Sequence, residues 1–350
     1  MVEVFTNIEN FSDAGATYSM GAKLDLTRTA ARLFHERFRS GPTVKSLRTL
    51  DLITFPYPTR FGLWQAAISP APYVMMTNRA LLVQFTQLGE LKTLLMNPTD
   101  YRASETAPYF QAQLKKYGKF LVDNLLTKKF KTIDEHLQEL GVVVDKIDYI
   151  AFDHLHVQDL KNLMGTVGVN ARPPRFPKAK FLFHRAEVES MKNLHPLQRP
   201  WYVPGALDGV VAERQVLVEN DLMLGDGVAL LQTPGHTAGN MSLVLNTPEG
   251  VLVTSENGIS VDSYCPEKSA IAGLRRYAKT WNVEVILNAN TIEYTAEQYN
   301  SMIKEKLVAG EDQLGLPNFF PSSELTSSWL APMLSPTFTR CSVNFGELKI

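Results

Sequence analysis

The chain has 350 residues, 45% hydrophobic and 20% charged, an ordinary globular composition with ample apolar material for a sizeable core. Its formal net charge of −1 offers no global field to recruit nucleic acid or an anionic membrane, and no apolar run approaches the ~20 residues that span a bilayer. Cys265 and Cys341 stand apart with no CxxC spacing, and the opening MVEVFTNIENFSDAG is neither basic nor apolar enough for a signal peptide, so free thiols and a cytoplasmic protein are the expectation.

From the N-terminus, residues 27–40 predict an amphipathic helix with Ala30, Leu33, Phe34 and Phe38 on one face. Arg28, Arg32, Arg37 and Arg39 decorate the remainder. Alternation over 46–55 predicts a strand. Residues 73–77 and 80–85 read as two strands split at Asn78-Arg79, a turn-like pair. The stretch 88–131 reads as mostly helical, and its aromatics Tyr101, Tyr109, Phe110, Tyr117 and Phe120 read as core. Thr132 caps a helix over 133–140 that Gly141 ends. A buried strand over 146–152 then runs into Asp153-His-Leu-His-Val-Gln-Asp159, followed by a helix over 160–164. Polar groups at the C-terminal end of such a strand face a crevice, the usual place for an α/β active site.

A second α/β passage follows, with a strand over 179–184, a helix from Arg185, and strands within 216–223 and over 227–233. Beyond the loop 234–239 come strands over 242–246 and 251–254, a helix over 269–279, a strand over 283–287 and a helix over 295–307. The tail after Gly310 is rich in Pro and Ser and carries Phe319, Phe320 and Trp329, an arm to pack on the domain or on a partner such as a second copy in a homodimer. With no short-period repeat and no clean linker, the reading is an N-terminal extension (1–45), one domain (46–310) and a C-terminal tail (311–350).

His154 and His156 lie two apart at a strand end, where i and i+2 side chains point to the same side. His236 follows Pro234-Gly235, a tight turn that lifts it from another strand end. Three histidines with an open fourth position are a standard catalytic zinc arrangement. His136, His184, His35 and His195 have no evident partner of this kind. GxSxG elbow, P-loop and dinucleotide fingerprint are all missing, which disfavours serine hydrolases, NTPases and NAD enzymes.

The order of elements, with His154-Leu-His156 after one strand and Pro234-Gly-His-Thr237 after another, resembles the metallo-β-lactamase superfamily over roughly Tyr73 to Leu307. The resemblance implies an α/β fold, the αββα four-layer sandwich, with the site at one edge between two sheets. It carries His154, His156 and His236 over as metal ligands and Glu256 as a carboxylate where the family has its bridging Asp. Gln158 and Asp159 stand where the family's motif continues with Asp and His, and Asn290 falls on or near its last histidine. A second metal site therefore looks partly dismantled.

What remains suits one divalent metal ion, zinc foremost, with iron or manganese also satisfied by three histidines and a glutamate. Glu256 would complete or support the site, Asp159 would handle protons unless it only caps the following helix, and Asp153 would orient a histidine. The expected function is hydrolysis of a small carbonyl substrate (ester, lactone or thioester) by a metal-activated water. Two alternatives stay open: an iron- or manganese-dependent oxidoreductase, and a non-catalytic ligand-binding protein. Phe55, Tyr57, Phe61 and Trp64 are candidates to line the pocket, with plain core as the competing role. A small molecule is the expected partner; nucleic acid and membrane are not expected.

Overall fold

A computed structural model describes residues 5–350. Its thirteen strands are β1 (Thr6–Asn7), β2 (Ser46–Pro58), β3 (Tyr73–Gln87), β4 (Glu90–Met96), β5 (Lys128–Lys129), β6 (Tyr149–Ala151), β7 (Lys180–His184), β8 (Gln215–Val218), β9 (Leu222–Gly225), β10 (Val228–Gln232), β11 (Met241–Thr247), β12 (Gly250–Thr254) and β13 (Ser323–Thr326). They form two sheets. One is antiparallel, in the order β1-β9-β10-β11-β12. The other runs β5-β2-β3-β4-β6-β7-β8, antiparallel as far as β4 and parallel from there, with β13 extending the β4 edge of β3.

The period of two along each strand sorts the core into layers. Val228 and Leu230 of β10 and Met241, Leu243 and Leu245 of β11 pack against Leu81, Val83, Leu94 and Met96 of the other sheet. Their neighbours Ala229, Leu231 and Val244 turn outward onto the helices Met20–Arg39 and Thr295–Ala309. The outer face of the larger sheet is covered by Ile133–Glu139, Arg185–Lys192 and Leu274–Trp281. The result is helix, sheet, sheet, helix: the αββα sandwich expected from the sequence.

Thr132 caps Ile133–Glu139 as expected, in a reciprocal capping box with Glu135. Other expectations need correction. Asn78-Arg79 is no break: β3 is continuous, β2 bulges opposite it between Asp51 and Ile53, and Arg79 is held by Asp51 at 2.9 Å and Glu324 at 2.7 Å. Polar partners across three strands thus satisfy a pair whose composition suggests a turn. Residues 283–287 form no strand; the N–H groups of Ile286 and Asn288 go to loop carbonyls of Ser263 and Asn257. The first long helix begins at Met20, capped by Ser19, and buries Thr27, Ala31, Phe34 and Phe38 while Leu33 is exposed.

The N-terminal extension and the C-terminal tail both contribute side chains to the core. Met20–Arg39 is half of one helical layer. Phe320 lies between the sheets, and Phe319 stacks on Tyr264 with ring centroids 3.9 Å apart. Trp329 remains exposed. Both cysteines are free thiols, and no helix among the described residues is long and apolar enough to cross a membrane.

Candidate metal centre

The ends of β6 and β10 meet where the two sheets come together. The Met241 N–H donates to the Asp153 carbonyl at 2.8 Å and ties the two histidine-bearing loops. Gly235 adopts φ 147°, and a Cβ there would collide with Gln298, so this turn requires glycine. The turn delivers His236 against His154 and His156, with ring centroids 4.7 to 4.9 Å apart and all three rings buried. One ligand atom from each lies within 4.8 Å of the others.

The outward nitrogens of the three rings are each fixed by an acceptor. His154 Nδ1 faces Asp153 Oδ1 at 2.9 Å, His156 Nε2 faces Gln198 Oε1 at 3.1 Å, and His236 Nδ1 faces the Asn288 carbonyl at 2.8 Å. These acceptors put each ring's proton on the outside and its lone pair on the inside. His156 Nδ1 and His236 Nε2 then point at each other 3.1 Å apart. Two facing lone pairs repel, and a cation between the rings resolves the conflict. The donor set therefore fits a metal ion.

The electrostatics agree. Burial, and then the charge on His154, holds His156 well below the ordinary imidazole range, and the same two causes bring His236 down to about 3. Burial opposes a charge on His154 too, but the Asp153 carboxylate overrides it and raises His154 to about 9. Asp153 is itself desolvated, yet His154, Ser322 and Asn97 keep it below the usual carboxylate range.

Glu256 falls beside the cluster rather than within it. Its carboxylate groups with Asp153 and His154 within 4.8 Å, and accepts from Ser323 Oγ at 2.9 Å. Burial chiefly raises it to about 7, against the pull of His154. Asp159 is not brought to the site: its carboxylate accepts from the Lys161 N–H at 3.1 Å, pairs with Lys161 Nζ at 3.4 Å and does not line the cavity. Gln158 lines the cavity but donates to Thr99 Oγ1, and Asn290 borders a neighbouring cleft. His35, His136, His184 and His195 bond to other parts of the chain.

The histidines form the floor of a cavity of about 90 Å³. Its walls are Ile53, Phe55 and Tyr57 from β2, Tyr109, Phe110 and Leu114 from the Pro108–Tyr117 helix, and Trp201. Of the aromatics proposed from sequence, Phe55 and Tyr57 reach it. Phe61 packs on Trp201 from behind, and Trp64 joins the helical layer under the other sheet. The Tyr57 hydroxyl is buried and has no hydrogen-bond partner among the described residues. Burial and the nearby Glu256 charge push that phenol well above its ordinary range.

Sequence reasoning missed Gln198, Trp201, Tyr109 and Glu187. Glu187 is buried and accepts from the Leu155 N–H at 2.9 Å, Tyr202 O–H at 2.6 Å and Thr237 O–H at 2.7 Å. It thereby clamps both histidine loops. Its only sequence signal is an acidic residue in the first turn of a helix, which elsewhere means a solvated end.

No family model matches the chain. Among solved structures, a probable metal-dependent hydrolase from Staphylococcus aureus aligns at 12% identity over 75% of this chain and 84% of its own, with a TM-score of 0.50. A dizinc quorum-quenching lactonase aligns at 13% identity over 88% of this chain and 99% of its own, with a TM-score of 0.48. A quorum-quenching N-acyl homoserine lactone lactonase aligns at 19% identity over 70% and 90%, with a TM-score of 0.45. Identities this low speak to architecture alone: with its two layered sheets and its histidine loops at the ends of β6 and β10, the chain has the metallo-β-lactamase fold.

Proposed function

We propose that the protein hydrolyses a small, neutral carbonyl substrate (an ester, lactone or thioester) at one divalent ion held by His154, His156 and His236. The observation that carries this reading is the set of three outward acceptors, Asp153 Oδ1, Gln198 Oε1 and Asn288 O, which turn three lone pairs onto one point. Three neutral imidazoles suit zinc. Bound there, the ion would polarise the substrate carbonyl and bring the pKa of a water molecule toward ~7.

The chain's own groups supply the rest. Glu256, at about 7 and hydrogen-bonded by Ser323 at its carboxylate, is suited to hold a proton at the cavity face and replaces Asp159 in that role. The Tyr57 O–H, lacking a partner, is free to donate to the carbonyl oxygen as charge builds there. The walls of Phe55, Tyr109, Phe110 and Trp201 exclude water and accept an apolar substrate. Apart from the histidines, the cation on the lining is Lys129, and it is engaged by Glu105 and Asp123. Beside the ion a phosphodiester would find no free cationic side chain, which argues for a neutral substrate.

The test is elemental analysis of the purified protein beside His154→Ala, followed by an ester and lactone screen. About one equivalent of zinc, lost in the variant, together with turnover supports the reading. Iron or manganese would redirect it to redox chemistry. No metal after incubation with each ion would leave a ligand-binding protein and overturn it.

A further inference from the structure

The segment that walls the cavity on its outer side also presents a surface of its own. Leu114, Val122, Asp123, Thr127 and Lys129 face the cavity. Between them, Gly118 at φ 77° ends one helix, and the chain continues as the short turns Lys119–Leu121 and Val122–Leu126. On these turns Phe120 is 77% exposed, Leu121 45% and Leu125 44%. Three large apolar side chains thus stand in solvent beside the rim of the apolar cavity, and Val122, in their midst, is buried against it.

The charge around them is one-sided. Residues 115–131 hold six lysines (115, 116, 119, 128, 129 and 131) against one acid, Asp123, in a chain whose net charge is −1. Lys119, Lys129 and Lys131 are engaged by Asp123, Glu105 and Glu139. Lys115, Lys116 and Lys128 have no carboxylate partner among the described residues. An apolar cluster bordered by lysines without a carboxylate partner matches the interface of an anionic bilayer, where apolar side chains enter the acyl boundary and lysine stems reach back to the headgroups. A second copy of the chain is disfavoured, because two such faces would bring like charges together.

We propose that this face docks on an anionic lipid surface, with the cavity rim toward the lipid, so that an apolar substrate dissolved in the bilayer enters from there. The docking belongs to the folded chain and does not require turnover. It is therefore tested by binding alone, separately from the hydrolase reading.

The experiment is co-sedimentation of the full chain with phosphatidylcholine vesicles, with and without phosphatidylserine. Binding to the phosphatidylserine vesicles is expected to be at least about tenfold stronger and to weaken as salt is added. The triple variant Phe120→Ser, Leu121→Ser, Leu125→Ser should lose binding while keeping its circular dichroism and unfolding midpoint, since these side chains are exposed. Lys115→Gln with Lys116→Gln and Lys128→Gln should weaken binding by about tenfold or more. No sedimentation with phosphatidylserine vesicles at low salt overturns the proposal, as does undiminished binding by the serine variant. A concentration-dependent dimer that the serine variant abolishes would assign the face to a second copy and overturn it too.

Discussion

Three glutamates surround the histidine cluster, two behind it and one in front, and the chain treats them differently. Glu187 accepts from three donors and Glu305 from four (Ser242, Ser255, Asn257 and Tyr264), all between 2.6 and 2.9 Å. Glu256, on the cavity face, accepts from Ser323. Among the described residues the Tyr57 hydroxyl beside it has no partner, and Asn78 Oδ1 on the same lining has none either. Behind the rings, saturated carboxylates tie strands and loops together, mostly through their side chains. In front, donors and acceptors are left open inside a largely apolar cavity, at a cost to the folded state. The contrast separates groups that build the site from groups that await a ligand.

The largest effect that would break this contrast is at the ligands. His154→Ala should leave only trace metal and reduce hydrolysis by at least ~10³-fold while circular dichroism stays unchanged. A variant that kept both metal and activity would remove His154 from the site. Next in size, Glu187→Ala should lower stability by about 3 kcal/mol or more, because it strands three buried donors; thermal unfolding with and without metal measures it. Tyr57→Phe should lower kcat by ~10²-fold with metal content intact, and should not destabilise the protein, since the hydroxyl it removes is unpaired. A fall in unfolding temperature would mean that Tyr57 belongs to the scaffold instead.

The smallest effect is at Glu256. Glu256→Gln should not destabilise the protein at neutral pH, in contrast to Glu187→Ala. The pH dependence sharpens the point. In metal-free protein the Glu256 carboxyl titrates at about 7 instead of its ordinary 4.5, so the folded state binds more protons than the unfolded state across that window. Stability must then fall as pH rises through it, and Glu256→Gln should flatten that slope in chemical unfolding followed from acid to neutral pH. An identical slope in the two proteins would show that Glu256 is not the group held protonated.

Much of this was legible in the chain. The strand-end position of His154 and His156, the Pro234-Gly235 turn before His236 and the apolar runs of β10 and β11 are local patterns, and the structure has the strands and the turn that they predict. Where sequence failed, the missing information was distant in the chain. Asn78-Arg79 resembles a turn because nothing nearby shows that Asp51 and Glu324 will neutralise it. Residues 283–287 have strand composition, but the N–H groups of Ile286 and Asn288 are taken by the carbonyls of Ser263 and Asn257, more than twenty residues away in the chain. Asp159 follows the histidines closely enough to suggest a role, yet its nearest cation is Lys161, two residues on, and local pairing decides its direction.

By itself, the sequence determined most of the strands, the tight turn before His236 and the placing of three histidines just beyond strand ends, because hydrophobic period and turn chemistry are properties of short segments. Tertiary structure alone decided which acceptor each imidazole meets, that Glu187 clamps two loops, that Glu256 and Tyr57 share a cavity wall, and that segments at both chain ends are core. Those facts depend on residues tens to hundreds of positions apart meeting in a dry interior, where one hydrogen bond sets a tautomer and one missing partner marks a site.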